Sequence, residues 1–182
     1  LIVFMHTTTQ TPILLHVHKN EYGEIVQDTT YHFPTRNSAS ASTLNSVIKV
    51  VQTMYPATNY GLVLWSHGTG WLPNGYYDQP NTGTSALQTG GLTQTTAQIS
   101  PFQDYPNGID PYAHLVKSFG YDDGVEMEIT DLVKALPSKF EFVIFDACLM
   151  GGIETAYELK DSVDYVIASP TEILVEGFPY SN

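Results

Sequence analysis

The stretch Phe142-Val143-Ile144-Phe145-Asp146-Ala147-Cys148-Leu149-Met150-Gly151-Gly152 joins an apolar run to an acid, a small residue, a thiol and two glycines. A short apolar run bounded by turn residues reads as a buried strand. Open parallel sheets build their sites at the carboxyl ends of such strands. Cys148 is the sole cysteine of the 182 residues, and its position makes it a candidate nucleophile.

Other segments extend this pattern in both directions. Tyr60-Gly61-Leu62-Val63-Leu64-Trp65 is a second short apolar strand, followed at once by Ser66-His67-Gly68-Thr69-Gly70. Val163 to Ala168 reads as a third. Helices are expected between the strands. One is capped by Ser40 or Ser42 and runs to about Met54, with Leu44, Val47, Ile48 and Val51 as its apolar stripe. Another runs from Asp131 to Leu136 with Thr130 as its cap, and a third from Gly152 to Lys160. Val125 to Ile129 alternates apolar with acidic residues, a half-exposed strand. Strands alternating with helices indicate an α/β fold with a largely parallel sheet.

The N-terminal part is different. Leu1 to Met5 reads as a buried strand, and Ile13–Lys19 with Glu24–Tyr31 reads as a hairpin around Glu21-Tyr22-Gly23. Only Thr7 to Pro12 lies between them, too short for a parallel crossover, so an antiparallel excursion is expected. Residues 72–110 are rich in Thr, Gln, Asn, Gly and Pro and form a polar loop or insertion within a single domain spanning 1–182.

Composition narrows the function. Seven basic residues face 19 acidic ones, a formal net charge of −12. Phosphate backbones are repelled by such a surface, which argues against nucleic-acid binding, whereas a cationic substrate is steered in. One cysteine excludes an internal disulfide, and no apolar stretch is long enough to span a membrane. Low Lys/Arg content with abundant Thr, Asn and Tyr leans towards an exported protein.

A nucleophilic thiol needs a base, because a free thiol with pKa near ~8.5 is mostly protonated at neutral pH. Among six histidines, His67 stands out. It follows a buried strand directly, as Cys148 does, so two adjacent parallel strands would bring both to one sheet edge. A neighbouring imidazole can take the thiol proton during attack. Gly68 lets a backbone N–H approach a substrate carbonyl, so the N–H groups of Gly68 and Cys148 are candidates for an oxyanion hole. His16 and His18 share one strand face but lack a third ligand in sequence; a solvated hairpin face accounts for them. Asp146 lies two residues before Cys148, where an acid opposes thiolate formation. It either fixes a cationic substrate group or caps the following turn or helix; spacing alone leaves both open.

Leu62-Val63-Leu64-Trp65-Ser66-His67-Gly68-Thr69-Gly70-Trp71 resembles the His motif of clostripain-like cysteine peptidases, family C11 of clan CD. Phe145-Asp146-Ala147-Cys148-Leu149-Met150-Gly151 resembles their Cys motif. The resemblance implies a caspase/hemoglobinase-like three-layer α/β/α sandwich. It implies a Cys148–His67 dyad that cleaves proteins or peptides after Arg or Lys through a thioester. Asp146 matches the acid at the floor of the pocket for that basic residue, with Glu172 or Glu176 as a second acid, and Ser169 and Trp71 as further substrate contacts. Some relatives depend on calcium, but no loop here has a calcium-ligand pattern, and no cofactor is expected.

The family begins with a further strand and helix and continues past the equivalent of Asn182, so the chain reads as truncated at both ends. Relatives often self-cleave after a basic residue between the two motifs. No Lys or Arg lies between Lys49 and Lys117, so the loop after His67 is not expected to be such a site. A second reading stays open: a non-catalytic secreted module on a degraded peptidase fold, binding peptide or glycan through Tyr77, Tyr105 and Tyr112.

Overall fold

A computed structural model describes residues 1–7, 9–70, 118–174 and 177–180. Trp71, Tyr77, Tyr105, Tyr112, Lys117 and Glu176, and the whole polar stretch 72–110, lie outside the described residues.

Three parallel strands form the sheet that carries both motifs. They are β4 (Gly61–Trp65), β7 (Phe140–Asp146) and β8 (Val163–Ala168), in the order β4-β7-β8. Side chains alternate across it as a period of two requires. Leu64, Val143 and Phe145 face inward, Val143 and Phe145 with no exposure. Each such side chain contributes about 1.5–3 kcal/mol by leaving water. Successive strands are added in one direction. Right-handed crossovers therefore place the intervening helices on the same face. Accordingly Leu132 of α2 (Ile129–Ala135) and Leu159 of α3 (Ile153–Leu159) join one core with Leu64, Val143 and Phe145, and Ile48 of α1 (Ala41–Met54), the helix that precedes β4, packs into the same core.

The opposite face of the sheet carries Val63, Trp65, Phe142, Tyr165 and Ile167, all exposed. Trp65 at 70% and Tyr165 at 68% show how open this face is. A second helical layer on it needs a crossover of opposite direction, from a strand beyond β4; the described residues hold one helical layer.

The N-terminal strands β1 (Ile2–Thr7), β2 (Gln10–Lys19) and β3 (Ile25–His32) form a separate antiparallel sheet in the order β1-β2-β3. This is the expected excursion, although β1 is half-buried rather than buried. It packs on α1 through Leu14 and Phe33 against Val47, Val50 and Val51. The expected α1 stripe is thus divided between two cores, Leu44 and Ile48 towards the parallel sheet and Val47 and Val51 towards the antiparallel one. Ser40 is the cap, its side chain accepting from the Thr43 N–H. His16 and His18 are each partly buried, His18 keeping 34% of its side chain exposed. Their rings stack at 4.6 Å, and His16 also packs against Tyr55. His18 Nε2 lies 2.8 Å from Asp28 Oδ2.

Two local features differ from expectation. Helix α2 starts at Ile129, and Thr130 does not cap it; Glu128 precedes the helix without a side-chain cap bond. Ile129 is 1% exposed, so its burial draws it into the first turn. The second feature is an unforeseen strand, β5 (Ser118–Asp122), paired antiparallel with β6 (Val125–Glu128). The turn residues Asp123 (φ 49) and Gly124 (φ 74) both have positive φ, as a tight hairpin requires.

Asp122 ties this hairpin to the N-terminal half. Its Oδ2 accepts from the N–H and Oγ of Ser38 and lies 3.2 Å from His6 Nδ1. Burial pushes the Asp122 carboxyl up. The Ser38 N–H and hydroxyl, with the His6 ring, outweigh this and hold it below the usual carboxylate range. A depressed value means the stabilisation is full above the unfolded-state value and fades as pH falls through the folded one. Asp122→Ala should therefore lower stability by about 1–3 kcal/mol at pH 7. The gap to wild type should close as pH falls through the acid range. A denaturant titration at pH 7 and pH 3 checks this.

Candidate active site

Register brings the two motifs together. The β4–β7 ladder ends with Trp65 opposite Asp146, so His67 and Cys148 each lie two residues past the last paired position. Their loops touch through backbone. A Cβ on Gly68 would sit 2.5 Å from the Cys148 carbonyl oxygen. A Cβ on Gly70 (φ +53) would sit 2.0 Å from the Leu149 carbonyl oxygen. Both glycines are needed for this close approach. Close packing against the Cys148 loop is a reason for Gly68 beyond the expected approach of its N–H to a substrate.

Leu149, directly after the thiol, adopts φ 62. A left-handed residue other than glycine costs about 1–2 kcal/mol and is held there by its surroundings. The bend keeps Cys148 from simply extending β7. Helix α3 follows, starting at Ile153 after Gly152 as its cap residue.

Cys148 is half-buried. The segment after β8 runs alongside its loop. Gly151 N–H donates to the Ser169 carbonyl at 2.8 Å, and Leu149 N–H to the Thr171 carbonyl at 3.0 Å. Ile173 N–H donates to Cys148 Sγ at 3.2 Å, and the thiol faces the Ile173 carbonyl at 3.6 Å. One peptide segment thus offers the sulfur a donor and its proton an acceptor. Ser169 Oγ accepts from the Thr171 N–H at 3.1 Å, which shapes this segment. Glu172, beside Ile173, is exposed. Glu176 and Trp71 lie outside the described residues.

Asp146 points to the sheet face opposite the helices, as alternation from Phe145 requires. It is nevertheless 4% exposed. Its Oδ1 accepts from the Phe178 N–H at 3.0 Å and its Oδ2 from the Tyr180 hydroxyl at 2.9 Å. It does not cap the following turn or helix, because residues 177–180 fold back over it first. Burial, then the hydrogen bond to Asp146 and its charge, push the Tyr180 phenol up to about 12.

His67 is exposed on its loop, its ring edge-on to Tyr121 at 6.2 Å. The loop is carried by β5, the strand that sequence reasoning missed. Gly120 N–H donates to the His67 carbonyl at 2.8 Å, and Thr69 N–H to the Ser118 carbonyl at 3.1 Å. Tyr121 N–H donates to Ser66 Oγ at 3.3 Å. The available signal was Asp123-Gly124, a strong hairpin dipeptide. Among the described residues, no three His, Cys, Asp or Glu side chains group as a metal site.

The profile of the clostripain family matches residues 1–89 and 103–182. The chain belongs to the clostripain family. Solved structures agree. A secreted C11 cysteine protease from Bacteroides thetaiotaomicron, in complex with an irreversible peptide inhibitor, is 32% identical with a TM-score of 0.69. An inactive zymogen C11 protease from Parabacteroides distasonis is 35% identical with a TM-score of 0.67. Each alignment covers 98% of this chain and 40% of the other. Another structure of a secreted C11 cysteine protease from Bacteroides thetaiotaomicron, "iotapain", is 27% identical with a TM-score of 0.70 over 98% of this chain and 44% of that one. No curated protein sequence matches. The chain therefore spans less than half the length of these relatives, and it has their α/β fold.

The Tyr180 contact makes stability depend on pH in the alkaline range. Its folded value lies above the ordinary phenol value, so the stabilisation is full below pH ~10 and is lost as pH rises towards about 12. Tyr180 is largely exposed, so solvent screening limits the effect to a few tenths up to about 1 kcal/mol. Wild type should be more stable than Tyr180→Phe at pH 8, and the gap should narrow by pH 11 in paired unfolding curves.

Proposed function

We propose that this clostripain-family chain carries the catalytic core of a cysteine endopeptidase that cleaves after Arg or Lys. The observation that carries the reading is the shared offset of His67 and Cys148 past the Trp65–Asp146 pair, with Gly68 packed on the Cys148 carbonyl. This juxtaposition is what acyl transfer by a thiol needs.

In this mechanism His67 accepts the Cys148 proton as the sulfur attacks the scissile carbonyl. The C–S bond forms and the carbonyl oxygen takes the electron pair. N–H groups of Gly68 and Cys148 stabilise that oxyanion. His67 then gives the proton to the leaving amine, and the C–N bond breaks to leave a thioester. Water, deprotonated by His67, attacks the thioester carbonyl; the C–S bond breaks, His67 returns the proton to the Cys148 sulfur, and the carboxylic acid product leaves.

Asp146 selects the basic side chain. Its carboxylate lies two residues before the nucleophile, and about four acceptor positions exist on a carboxylate, of which Phe178 and Tyr180 use two. A guanidinium or ammonium can take those that remain, and the chain's net charge of −12 draws such substrates in. Glu172 and Glu176 supply further negative charge, and Ser169 and Trp71 contact the substrate backbone or side chains. The whole protein acts outside the cytoplasm, like its secreted relatives.

Two measurements test this reading on the full-length protein. Cys148→Ala should abolish labelling by an Arg-chloromethylketone and reduce peptide cleavage at least about 10³-fold; cleavage that survives the substitution contradicts the dyad. Asp146→Asn should lower kcat/KM for Arg substrates about 30-fold or more while sparing neutral ones. Equal losses on both would refute the pocket assignment.

A further inference from the structure

Beneath the His67 loop lies a buried polar chain that the acyl-transfer chemistry does not use. Thr69 and Ser118 are each 1% exposed. Ser118 N–H donates to Thr69 Oγ1 at 3.1 Å, and the two hydroxyl oxygens lie 2.7 Å apart. Ser118 Oγ also donates to Glu126 Oε2. A hydroxyl has one proton. Because Ser118 gives its proton to the carboxylate, the Thr69 proton has two acceptors, Ser118 Oγ at 2.7 Å and the Ser118 carbonyl at 3.3 Å. The carboxylate thus orders the Ser118 hydroxyl, and Thr69 is held to Ser118 through side chain and backbone together.

This arrangement is a poor way to gain stability. Glu126 Oε1 is buried with no hydrogen-bond partner among the described residues, so its desolvation goes uncompensated. Apolar side chains of similar shape would avoid that penalty. What the polar chain supplies is a fixed register, and register is the weak point here. The β5–β6 pairing is irregular between Phe119 and Tyr121, at Gly120 (φ +81). Gly120 is the residue whose N–H holds the His67 carbonyl. The strand that carries the His67 loop is therefore irregular at the rung that holds it. The Thr69–Ser118 pair, one step further on, adds a side-chain tie beside that rung.

We infer that Thr69, Ser118 and Glu126 are positioning residues for His67. Glu126 orients the Ser118 hydroxyl, Ser118 holds Thr69 through its hydroxyl, N–H and carbonyl, and Thr69 fixes the chain two residues from the imidazole. The inference rests on the reading of His67 as the base for Cys148. It adds that this base is held by a carboxylate on the neighbouring hairpin, acting through backbone placement.

The test uses the full-length protein and two readouts. The first is kcat and KM on a peptide with a basic P1 residue. Ser118→Ala and Glu126→Leu should lower kcat about 10- to 100-fold with KM within about twofold, as expected for a displaced catalytic group. Glu126→Gln keeps an acceptor for the Ser118 hydroxyl and should stay within about threefold of wild type. The second is the rate of Cys148 alkylation by iodoacetamide at pH 7, which needs no substrate. Ser118→Ala and Glu126→Leu should slow it, and neither should slow it further in a His67→Ala background, because the chain acts only through His67. The inference is overturned if Ser118→Ala leaves kcat unchanged, if Glu126→Gln and Glu126→Leu lose activity equally, or if the alkylation effects persist without His67. If Glu126→Leu does not fold, Ser118→Ala and Glu126→Gln decide the matter. Should wild type cleave nothing, the peptidase reading fails, while the alkylation cycle still reports on the chain.

Discussion

The parallel pairing of Trp65 with Asp146 is the constraint on which the rest depends. It sets β4 and β7 in step, so the loops that follow leave the sheet at the same level. Gly68 and Gly70 then let the backbone of one loop rest on the carbonyls of the other. A side chain at either glycine would separate the loops that carry His67 and Cys148. The strand pairing itself is secured by Leu64, Val143 and Phe145, buried beneath α1, α2 and α3. Core packing is thus converted into relative placement of the two loops that carry His67 and Cys148.

Each loop is also braced from its outer side. The Cys148 loop is paired along 149–151 with the segment after β8, which reaches the sulfur through Ile173. The His67 loop is paired with β5, and its Thr69 is locked to Ser118. Asp146 is covered by residues 177–180 on the sheet face opposite the helices. For the proposed dyad such supports matter as much as the reacting groups, because small displacements cost large factors in rate.

The strands and the two motifs were legible because their signals are local. Apolar runs ending in His67-Gly68 and in Asp146-Ala147-Cys148 read directly as strands delivering side chains to a sheet edge. Ser40 was legible as one of two caps for the same reason. What escaped was set by distant partners. Hairpin β5–β6 is short, its first strand is interrupted by Gly120, and only the Asp123-Gly124 turn announces it. Thr130 matches a cap by type, yet burial of Ile129 moved the helix start. The partners of Asp146 lie 32 and 34 residues further along the chain, and spacing near Asp146 holds no trace of them. The Ser118–Glu126 bond exists only once the hairpin has formed.

The most direct measurement is the chemical identity of the intermediate. Full-length protein mixed with an Arg-containing peptide and quenched in acid within milliseconds should carry the acyl half of the substrate, ending in Arg, as a thioester on Cys148. Peptide mapping by mass spectrometry reads this without any assumption about rate. An acyl mass on the Cys148 peptide is the predicted result. Cleaved substrate with no acyl group on Cys148, or with one on another residue, would contradict the account.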